Sequence, residues 1–391
     1  MKPKRLLIVS EPGTYGVFFY VRNLIHYLWT HCPETAVDFA FSTQRGSPEL
    51  LALVKEVQQH GGETLDLRVG NAPASNDLRA LTRLWRLIRQ TRPNLIHANS
   101  SKAGGLCRLL RLLPSCPPVL YSAHAYYGMR GRRDGGKAIL MYNGIEMALG
   151  RLGCSLTYCA DERDFARHAL KIPGRKIVLI HHGIDRAVFC PASREEKLKL
   201  RAEFGIPADR PLLIALGRES YQKNYRPLYV ALDKLLGRPD AKFVFSHAGQ
   251  GATQLAASLS AAARRHVYSF EFRPDVHRLL KAADAFVMTS RYETLGLAAL
   301  EAMACGLKIF LTRTMGLRCY ASLGFDEIIW LDPADEAGGL TDNLARAFDG
   351  WFASLDAGRI PLIRQVELVR HWFDRDTQFG KTCRLYSHLA R

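Results

Sequence analysis

Ser290-Arg-Tyr-Glu293-Thr-Leu-Gly296-Leu-Ala-Ala-Leu-Glu301-Ala-Met-Ala-Cys-Gly306 sets two glutamates eight residues apart around a glycine. Upstream, Ala285-Phe-Val-Met-Thr289 reads as a short buried strand. Downstream, Leu297, Leu300 and Met303 recur at helical spacing. Glu293 therefore falls on a strand-to-helix turn, and Glu301 about two turns along the helix at ~3.6 residues per turn. A helix starting there offers unpaired N–H groups and the positive end of its dipole to a phosphate. Two carboxylates flanking such a site can hold the hydroxyls of a phosphorylated sugar compound. The ordinary alternative is a pair of solvated acids.

The rest of the chain repeats the strand-then-helix unit. Arg5–Ser10 reads as a strand, Gly13-Thr-Tyr-Gly16 as a glycine-bearing turn, and Val17 to Trp29 as a helix carrying Val21, Leu24, Ile25 and Leu28 on one face. Strands at 37–41, 95–97 and 119–123 and helices near 49–60, 76–90 and 102–113 continue it. The pattern begins again around 176–181, with strands at 211–216, 242–247, 267–270, 285–289 and 308–312. Such βα alternation predicts doubly wound parallel sheets. At 391 residues the chain exceeds one ordinary core. Two α/β domains are expected, 1–185 and 186–374, with a linker near 183–193 and a C-terminal helix at about 375–391 packing back on the first. Doubly wound sheets bind ligands beyond the carboxyl ends of their strands, where these polar and glycine turns fall. Two such sheets facing each other would enclose a cleft.

Composition narrows the class. The chain is 48% apolar and 23% charged, as in globular domains, and no run of ~18 apolar residues marks a membrane span. The start, Met-Lys-Pro-Lys-Arg-Leu-Leu-Ile-Val, is too short in its apolar part for a signal peptide and reads as the first strand. Nine cysteines, scattered and without a Cys-x-x-Cys pair, suit reduced thiols in the cytoplasm. The net charge of +17 is uneven: residues 1–190 hold 26 Lys and Arg against 14 Asp and Glu. A basic face attracts nucleic acid, anionic lipid or a phosphorylated substrate, and charge alone does not choose among them.

Several residues could carry chemistry. Gly217-Arg218 and Lys223-Asn224 share one loop after a strand, where an arginine fork and a lysine point charge suit a diphosphate. Either cation alone would pass for surface charge. The loop lacks the Gly-x-x-x-x-Gly-Lys-[Ser/Thr] pattern, and Gly13 and Gly16 do not make a dinucleotide fingerprint, so neither an ATPase nor a nicotinamide enzyme is indicated. His124 ends a strand, where it can touch substrate or simply be structural. His181-His182 has only Asp185 nearby, too little for a metal, and reads as structural. The helix 76–90 carries Leu78, Leu81, Leu84, Trp85 and Ile88 in one stripe with Arg79, Arg83, Arg86 and Arg89 around it; a core-facing stripe and a membrane-surface helix share that pattern. Tyr126–Lys137, with Arg130, Arg132, Arg133 and Lys137, reads as a basic loop beside His124.

These motifs together resemble the family-4 glycosyltransferases of the GT-B fold, over nearly the whole chain. Glu293 and Glu301 match the family's E-x7-E motif, Gly217-Arg218 and Lys223 its Gly-Arg…Lys loop, and Ile177–Asp185 its [Val/Ile]-x-x-Ile-x-x-Gly-Ile-Asp pattern. Ile96-His-Ala-Asn-Ser-Ser-Lys-Ala-Gly104 and Phe272-Arg-Pro-Asp-Val276 look like forms common in bacterial surface-polysaccharide enzymes. The resemblance implies two facing Rossmann-like domains with an interdomain cleft, the first binding acceptor and the second the nucleotide-sugar. It implies that Arg218 and Lys223 hold the donor diphosphate, Glu293 the sugar and Glu301 the ribose. Backbone amides at Leu295, Gly296 and Leu297 would meet phosphate or sugar, Phe272 and Arg273 would lie beside the base, His124 would contact the sugar, and Gly16 would admit the phosphates. The family transfers sugar with retention and without a metal or other cofactor; the only Asp-x-Asp, Asp374-Arg-Asp376, reads as surface charge. Three positions depart from the pattern: Thr294 and Glu271 replace glycines, and Tyr15 precedes Gly16 where a second glycine is usual. Thr294 and Tyr15 narrow the sugar's space and put donor identity in question.

The expectation is a retaining hexosyltransferase that takes a sugar from a UDP-sugar, with GDP-sugar as the second choice. The acceptor would be a glycan or polyprenyl-diphosphate-linked compound in surface-polysaccharide synthesis. The site would be cytoplasmic, with an anionic inner membrane surface as a partner to be tested. The alternatives are a non-catalytic sugar-nucleotide-binding protein of this fold, and a charge-driven nucleic-acid binder, for which no recognition motif is present.

Overall fold

The computed structural model describes residues 4–332, 339–355 and 363–390; the first three residues and the side chains of Arg132 and Arg133 lie outside the described residues. The chain divides into two compact units, Met1–His181 with Asp376–Arg391, and His182–Arg375.

The first unit holds a seven-stranded sheet of β1 (Arg5–Val9), β2 (Ala36–Phe41), β3 (Thr64–Asp66), β4 (Leu95–Asn99), β5 (Val119–Ser122), β6 (Cys154–Thr157) and β7 (Ile177–Leu179), in the order β3-β2-β1-β4-β5-β6-β7. The second holds six: β8 (Leu212–Leu216), β9 (Val244–Ala248), β10 (Val267–Phe270), β11 (Ala285–Met288), β12 (Lys308–Thr312) and β13 (Ile329–Leu331), in the order β10-β9-β8-β11-β12-β13. Every pairing is parallel. Parallel sheets are covered on both faces, so their central strands run apolar rather than alternating. Leu6 to Val9 and Leu212 to Ala215 are fully buried accordingly.

Strand order reverses between β1 and β4 in the first sheet and between β8 and β11 in the second. At such a switch point the connections leave to opposite faces and open a crevice past the strands' carboxyl ends. The Gly217–Lys223 loop follows β8 and the Glu293 turn follows β11, so both flank the second sheet's switch point.

The C-terminal helix Arg375–Leu389 packs into the core of the first unit through Phe379 and Tyr386. The Tyr386 hydroxyl lies 2.6 Å from His97 Nδ1 on β4, and His97 Nε2 lies 2.9 Å from Ser122 Oγ on β5. Burial drives His97 down to about 3, so it stays a neutral link in this network.

One sequence reading changes, and of the two readings of helix 76–90 the core-facing one holds. Tyr126–Lys137 is not an open loop: Tyr126 is buried, Tyr127–Arg130 forms a short 3-10 turn, and a helix runs from Arg132 to Leu149 with a break at Gly136. The stripe of helix Asn76–Thr91 turns inward, burying Leu84, Leu87 and Ile88 and leaving only Leu78 well exposed. Its arginines are therefore the solvated face of a core helix.

Candidate active site

The loop after β8 is built by its own backbone. Gly217 N donates to Ala248 O at 3.0 Å, and Tyr225 Oη to Leu216 O at 2.8 Å. A Cβ on the neighbouring Gly249 would sit 2.2 Å from Gly217 O, so β8 and β9 leave side by side only because that position is glycine. Thr289 Oγ1, just after β11, donates to the carbonyls of Lys223 and Asn224 at 3.1 and 3.0 Å. Arg291 N donates to Gln222 O at 2.8 Å. These bonds zip the two functional loops together across the switch point. The Arg291 guanidinium lies 4.6 Å from the Tyr221 ring and adds a cation–π contact.

Within this frame Lys223 Nζ donates to Glu293 Oε1 at 2.7 Å, and Ser290 Oγ donates to the same oxygen at 2.8 Å. Glu293 is 7% exposed and its backbone N–H is fixed to Met315 O. Gly316 lies directly against it: a Cβ there would stand 1.9 Å from Glu293 O, and its φ of 89° belongs to the left-handed region. Thr294 is equally buried, and its Oγ1 has no hydrogen-bond partner among the described residues. A buried hydroxyl without a protein partner is costly unless a water or a ligand atom meets it.

Gly296, with φ 66°, starts the helix Leu297–Ala304 and supplies no side chain to cap it. Ala299 N already donates to Gly296 O at 2.8 Å, so Leu297 and Ala298 supply the first-turn N–H groups that, with the dipole, can meet an anion. Glu301 sits on that helix, largely buried. Loss of hydration pushes its carboxyl up to about 8, with the Lys223 charge pulling the other way. Arg218 lies at the exposed end of the loop. Arg218, Lys223, Glu293, Thr294, Gly296 and Glu301 thus belong to two adjoining loops and one short helix of the second unit.

The segment after β10 is differently engaged. Arg273 forms a fork on Asp275, with 2.6 and 2.8 Å bonds, and its guanidinium stacks 4.6 Å from the Phe204 ring. Phe272 is half exposed. Glu271 accepts from Gly251 N at 2.9 Å and from both the N–H and the hydroxyl of Thr253, fastening the start of the helix Ala252–Ala257. A glycine at position 271 would leave those donors without that carboxylate.

The first unit places His124 beyond β5, half-buried, with Nε2 3.2 Å from Asn99 Oδ1. Its ring stacks on Tyr158 at 4.9 Å and meets Tyr20 edge-on at 5.0 Å. Desolvation lowers it to about 3, so it is a neutral hydrogen-bonding group. His124 and Ala125 have φ of 54° and 105°, a rare pair for residues bearing a Cβ. The buried Glu162 carboxylate holds this backbone, accepting from Ala125 N at 3.2 Å and Tyr158 N at 2.8 Å. Burial raises Glu162 to about 7, with those two N–H groups opposing the rise. Gly16 is exposed at the start of the helix Tyr15–His31. Tyr15, standing for the usual glycine, adopts φ 61°, the conformation glycine takes freely.

Other motif residues serve the frame. A Cβ on Gly183 would stand 2.4 Å from Arg375 Cα, and Arg375 in turn pairs with Asp185. Asp374 is held by Arg186 at 2.8 Å and is stapled rather than loose surface charge. His181 Nδ1 lies 2.7 Å from Tyr158 O. All nine cysteines are free thiols. Glu162 and Gly316 were not singled out from the sequence. Beyond the nearby Tyr158, Glu162 reaches Ala125 37 residues away, and Gly316 meets Glu293 23 residues away, so nothing local marks either as part of the site.

Two family models match in tandem. "Glycosyltransferase Family 4" matches residues 16–188 and "Glycosyl transferases group 1" matches 196–348. The Escherichia coli UDP-Gal:alpha-D-GlcNAc-diphosphoundecaprenol alpha-1,3-galactosyltransferase is 27% identical over 266 residues, covering 66% of this chain and 67% of that one. The sulfoquinovosyl transferase SQD2 of Arabidopsis thaliana is 25% identical over 329 residues, covering 81% of this chain and 61% of its own length. Among solved structures, sucrose-phosphate synthase from Thermosynechococcus elongatus superposes with a TM-score of 0.77 at 20% identity, over 99% of both chains. Anabaena HepE in complex with UDP and glucose gives 0.76 at 16% identity, over 98% of this chain and 99% of that one. These structural likenesses establish the two-domain GT-B fold.

Proposed function

The chain belongs to the family-4 glycosyltransferases, and on that premise we propose that it moves a hexose, with retention, from a UDP-sugar to a glycan or polyprenyl-diphosphate-linked acceptor. The observation that carries the reading is the Lys223–Glu293 pair at the second sheet's switch point, beside an uncapped helix start. A cation, a sugar-facing carboxylate and an anion-binding helix terminus are what a nucleotide diphosphate sugar requires. The name of the Escherichia coli relative, with a UDP-linked donor and a diphosphoundecaprenol acceptor, supports the choice of UDP and of a lipid-linked acceptor. A GDP-sugar is the second candidate.

In this reading Arg218, Lys223 and the first turn of the helix Leu297–Ala304 bind the diphosphate and stabilise the charge it gains as it leaves. Glu293 orients the sugar, Thr294 offers its buried hydroxyl to the sugar, and Glu301 holds the ribose. Phe272 and Arg273 border the base. The bond between C1 and the diphosphate oxygen breaks, and the bond from C1 to the acceptor oxygen forms on the same face. The acceptor proton passes to the departing phosphate. His124, neutral, donates or accepts a hydrogen bond at the sugar, and Gly16 lets the backbone of the first unit approach the phosphates. No metal or other cofactor takes part. The acceptor's lipid places the reaction at an anionic inner membrane surface.

The test is incubation with a panel of UDP- and GDP-sugars, following release of the nucleotide and its transfer to polyprenyl-diphosphate acceptors. Turnover with a UDP-sugar is expected. Binding without turnover across the panel would favour a non-catalytic sugar-nucleotide-binding protein, and no binding of any donor would overturn the proposal.

A further inference from the structure

A basic depression of about 530 Å³ opens at the amino-terminal edge of β5, β6 and β7, the edge of the first sheet remote from His124. Arg111, Arg151, Arg175, Lys176 and His388 line it, and among the described residues no carboxylate does. Val119, Val178 and Leu385 contribute an apolar floor. Two of the cations are set by backbone carbonyls: Arg111 Nη1 donates to Cys116 O at 2.6 Å, and Lys176 Nζ to Arg151 O at 2.7 Å.

An uncharged helix face runs to this depression. Between Ala138 and Gly150 the one charged residue of the helix Arg132–Leu149 is Glu146, which turns inward to Arg108 at 2.9 Å and to the Tyr121 hydroxyl at 2.8 Å. The opposite face shows Leu140, Met141 and Ile145 at 64, 49 and 41% exposure. The Arg108–Glu146 bond joins this helix to Ser101–Leu110, whose exit adds exposed Leu109, Leu112 and Leu113 beside Arg111. The apolar surface is flanked by Lys137 at one end and Arg151 at the other.

We propose that this face seats on an anionic bilayer, with lipid phosphates in the Arg111–Arg151–Arg175 depression and Leu112, Leu140, Met141 and Ile145 entering the acyl boundary. Aliphatic side chains rimmed by cations are the composition of an interfacial helix surface. A second copy of the chain fits poorly, because a self-complementary interface would set these cations against one another. Nucleic acid fits poorly too, since the exposed face offers aliphatic chains and no stacking platform. The inference deepens the acceptor reading above, but vesicle binding is measured without any sugar transfer, so the two fail separately.

The test is flotation of the full chain with vesicles of phosphatidylglycerol and phosphatidylcholine, against phosphatidylcholine alone. Binding to the anionic vesicles that weakens with salt is expected. Arg111→Glu/Arg151→Glu/Arg175→Glu should lose at least tenfold of it. Met141→Ser/Ile145→Ser, on exposed positions, should lose several-fold, with circular dichroism unchanged. Turnover with a soluble acceptor should stay at the parent level in both variants. Absence of binding to anionic vesicles, equal binding to neutral ones, or parent-like binding by the charge-reversed variant would each overturn the proposal. Saturable binding of inorganic phosphate that competes fully with vesicles would instead assign the depression to a soluble phosphate compound.

Discussion

Lys223 Nζ stands 2.7 Å from Glu293 Oε1, and the Ser290 hydroxyl donates to that same oxygen at 2.8 Å. The pair ties the loop after β8 to the turn after β11, so it shapes the site as well as charging it. Lys223→Ala should lower kcat/KM by about 10²–10³-fold if the ammonium stabilises the leaving diphosphate. Glu293→Gln keeps the shape and the link to Ser290 while removing the charge. It should lower kcat more than it alters donor affinity. A double-mutant cycle of Lys223→Ala with Glu293→Ala checks the coupling, and strictly additive losses would argue that the two act apart.

Thr294 sets the second prediction. Its Oγ1 is buried without a partner among the described residues, in the position where the family pattern has glycine. If the hydroxyl bonds the transferred sugar, Thr294→Val keeps the volume and loses the bond. Turnover of the preferred sugar should drop about 10–100-fold while affinity for free UDP is unchanged. Thr294→Gly should widen the range of sugars accepted. A donor-panel profile identical to the parent's in both variants would remove Thr294 from donor choice.

How much of this was legible beforehand follows from the length of the signals. The turn at Glu293 could be read because an apolar strand, a glycine and a helical repeat adjoin within twenty residues. The strands β3 and β6, Thr64-Leu-Asp66 and Cys154-Ser-Leu-Thr157, carry a single aliphatic residue each and show no apolar run, and β13 is only three residues long. The helix Arg132–Leu149 escaped for a different reason. Its charged Glu146 faces inward and its Leu140, Met141 and Ile145 face out, so the apolar positions did not mark a core stripe. Four glycines, at 131, 135, 136 and 144, further blurred it. The contacts that tie Glu162 to Ala125 and Gly316 to Glu293 span 37 and 23 residues, and no spacing rule reaches them.

The Glu162 carboxylate supplies the third prediction. It holds Ala125 N and Tyr158 N while His124 and Ala125 sit at positive φ. Such backbone persists only where the surroundings impose it. Glu162→Gln retains one acceptor oxygen and loses the other, so His124 should move. A fall in kcat with little change in donor KM is expected, because the groups proposed to bind the donor lie in the other unit. With Glu162 near 7, parent activity should decline as pH falls through about 7, and the variant should lack that limb. A variant that merely melts lower with unchanged kcat would make the residue structural only.

Gly316 carries the fourth. A Cβ there would collide with Glu293 O at 1.9 Å, and φ 89° is unfavourable for alanine. Gly316→Ala should cost about 1–3 kcal/mol and displace the Glu293 backbone. Chemical denaturation measures the first, and the donor dissociation constant the second. Unchanged stability and affinity would show that the turn relaxes freely.

Glu301 gives the last prediction, on stability and pH. Its folded-state carboxyl is pushed to about 8 by burial, above its ordinary value of 4.5. Between those two values the unfolded chain has released this proton and the folded chain still holds it. Stability therefore falls as pH rises through that window, because the folded state binds more protons there. Below about 4.5 both states are protonated and the group contributes no slope. The Lys223 charge opposes the rise, so Lys223→Ala should move the upper limit of the window to higher pH, whereas Glu301→Gln should remove this contribution. Melting temperatures of parent, Glu301→Gln and Lys223→Ala, taken from pH 5 to pH 9, separate the cases. The difference between parent and Glu301→Gln should widen steadily towards pH 8 in favour of the glutamine. A constant difference across the range would mean that Glu301 is ionised throughout and would meet the proposed ribose as a carboxylate.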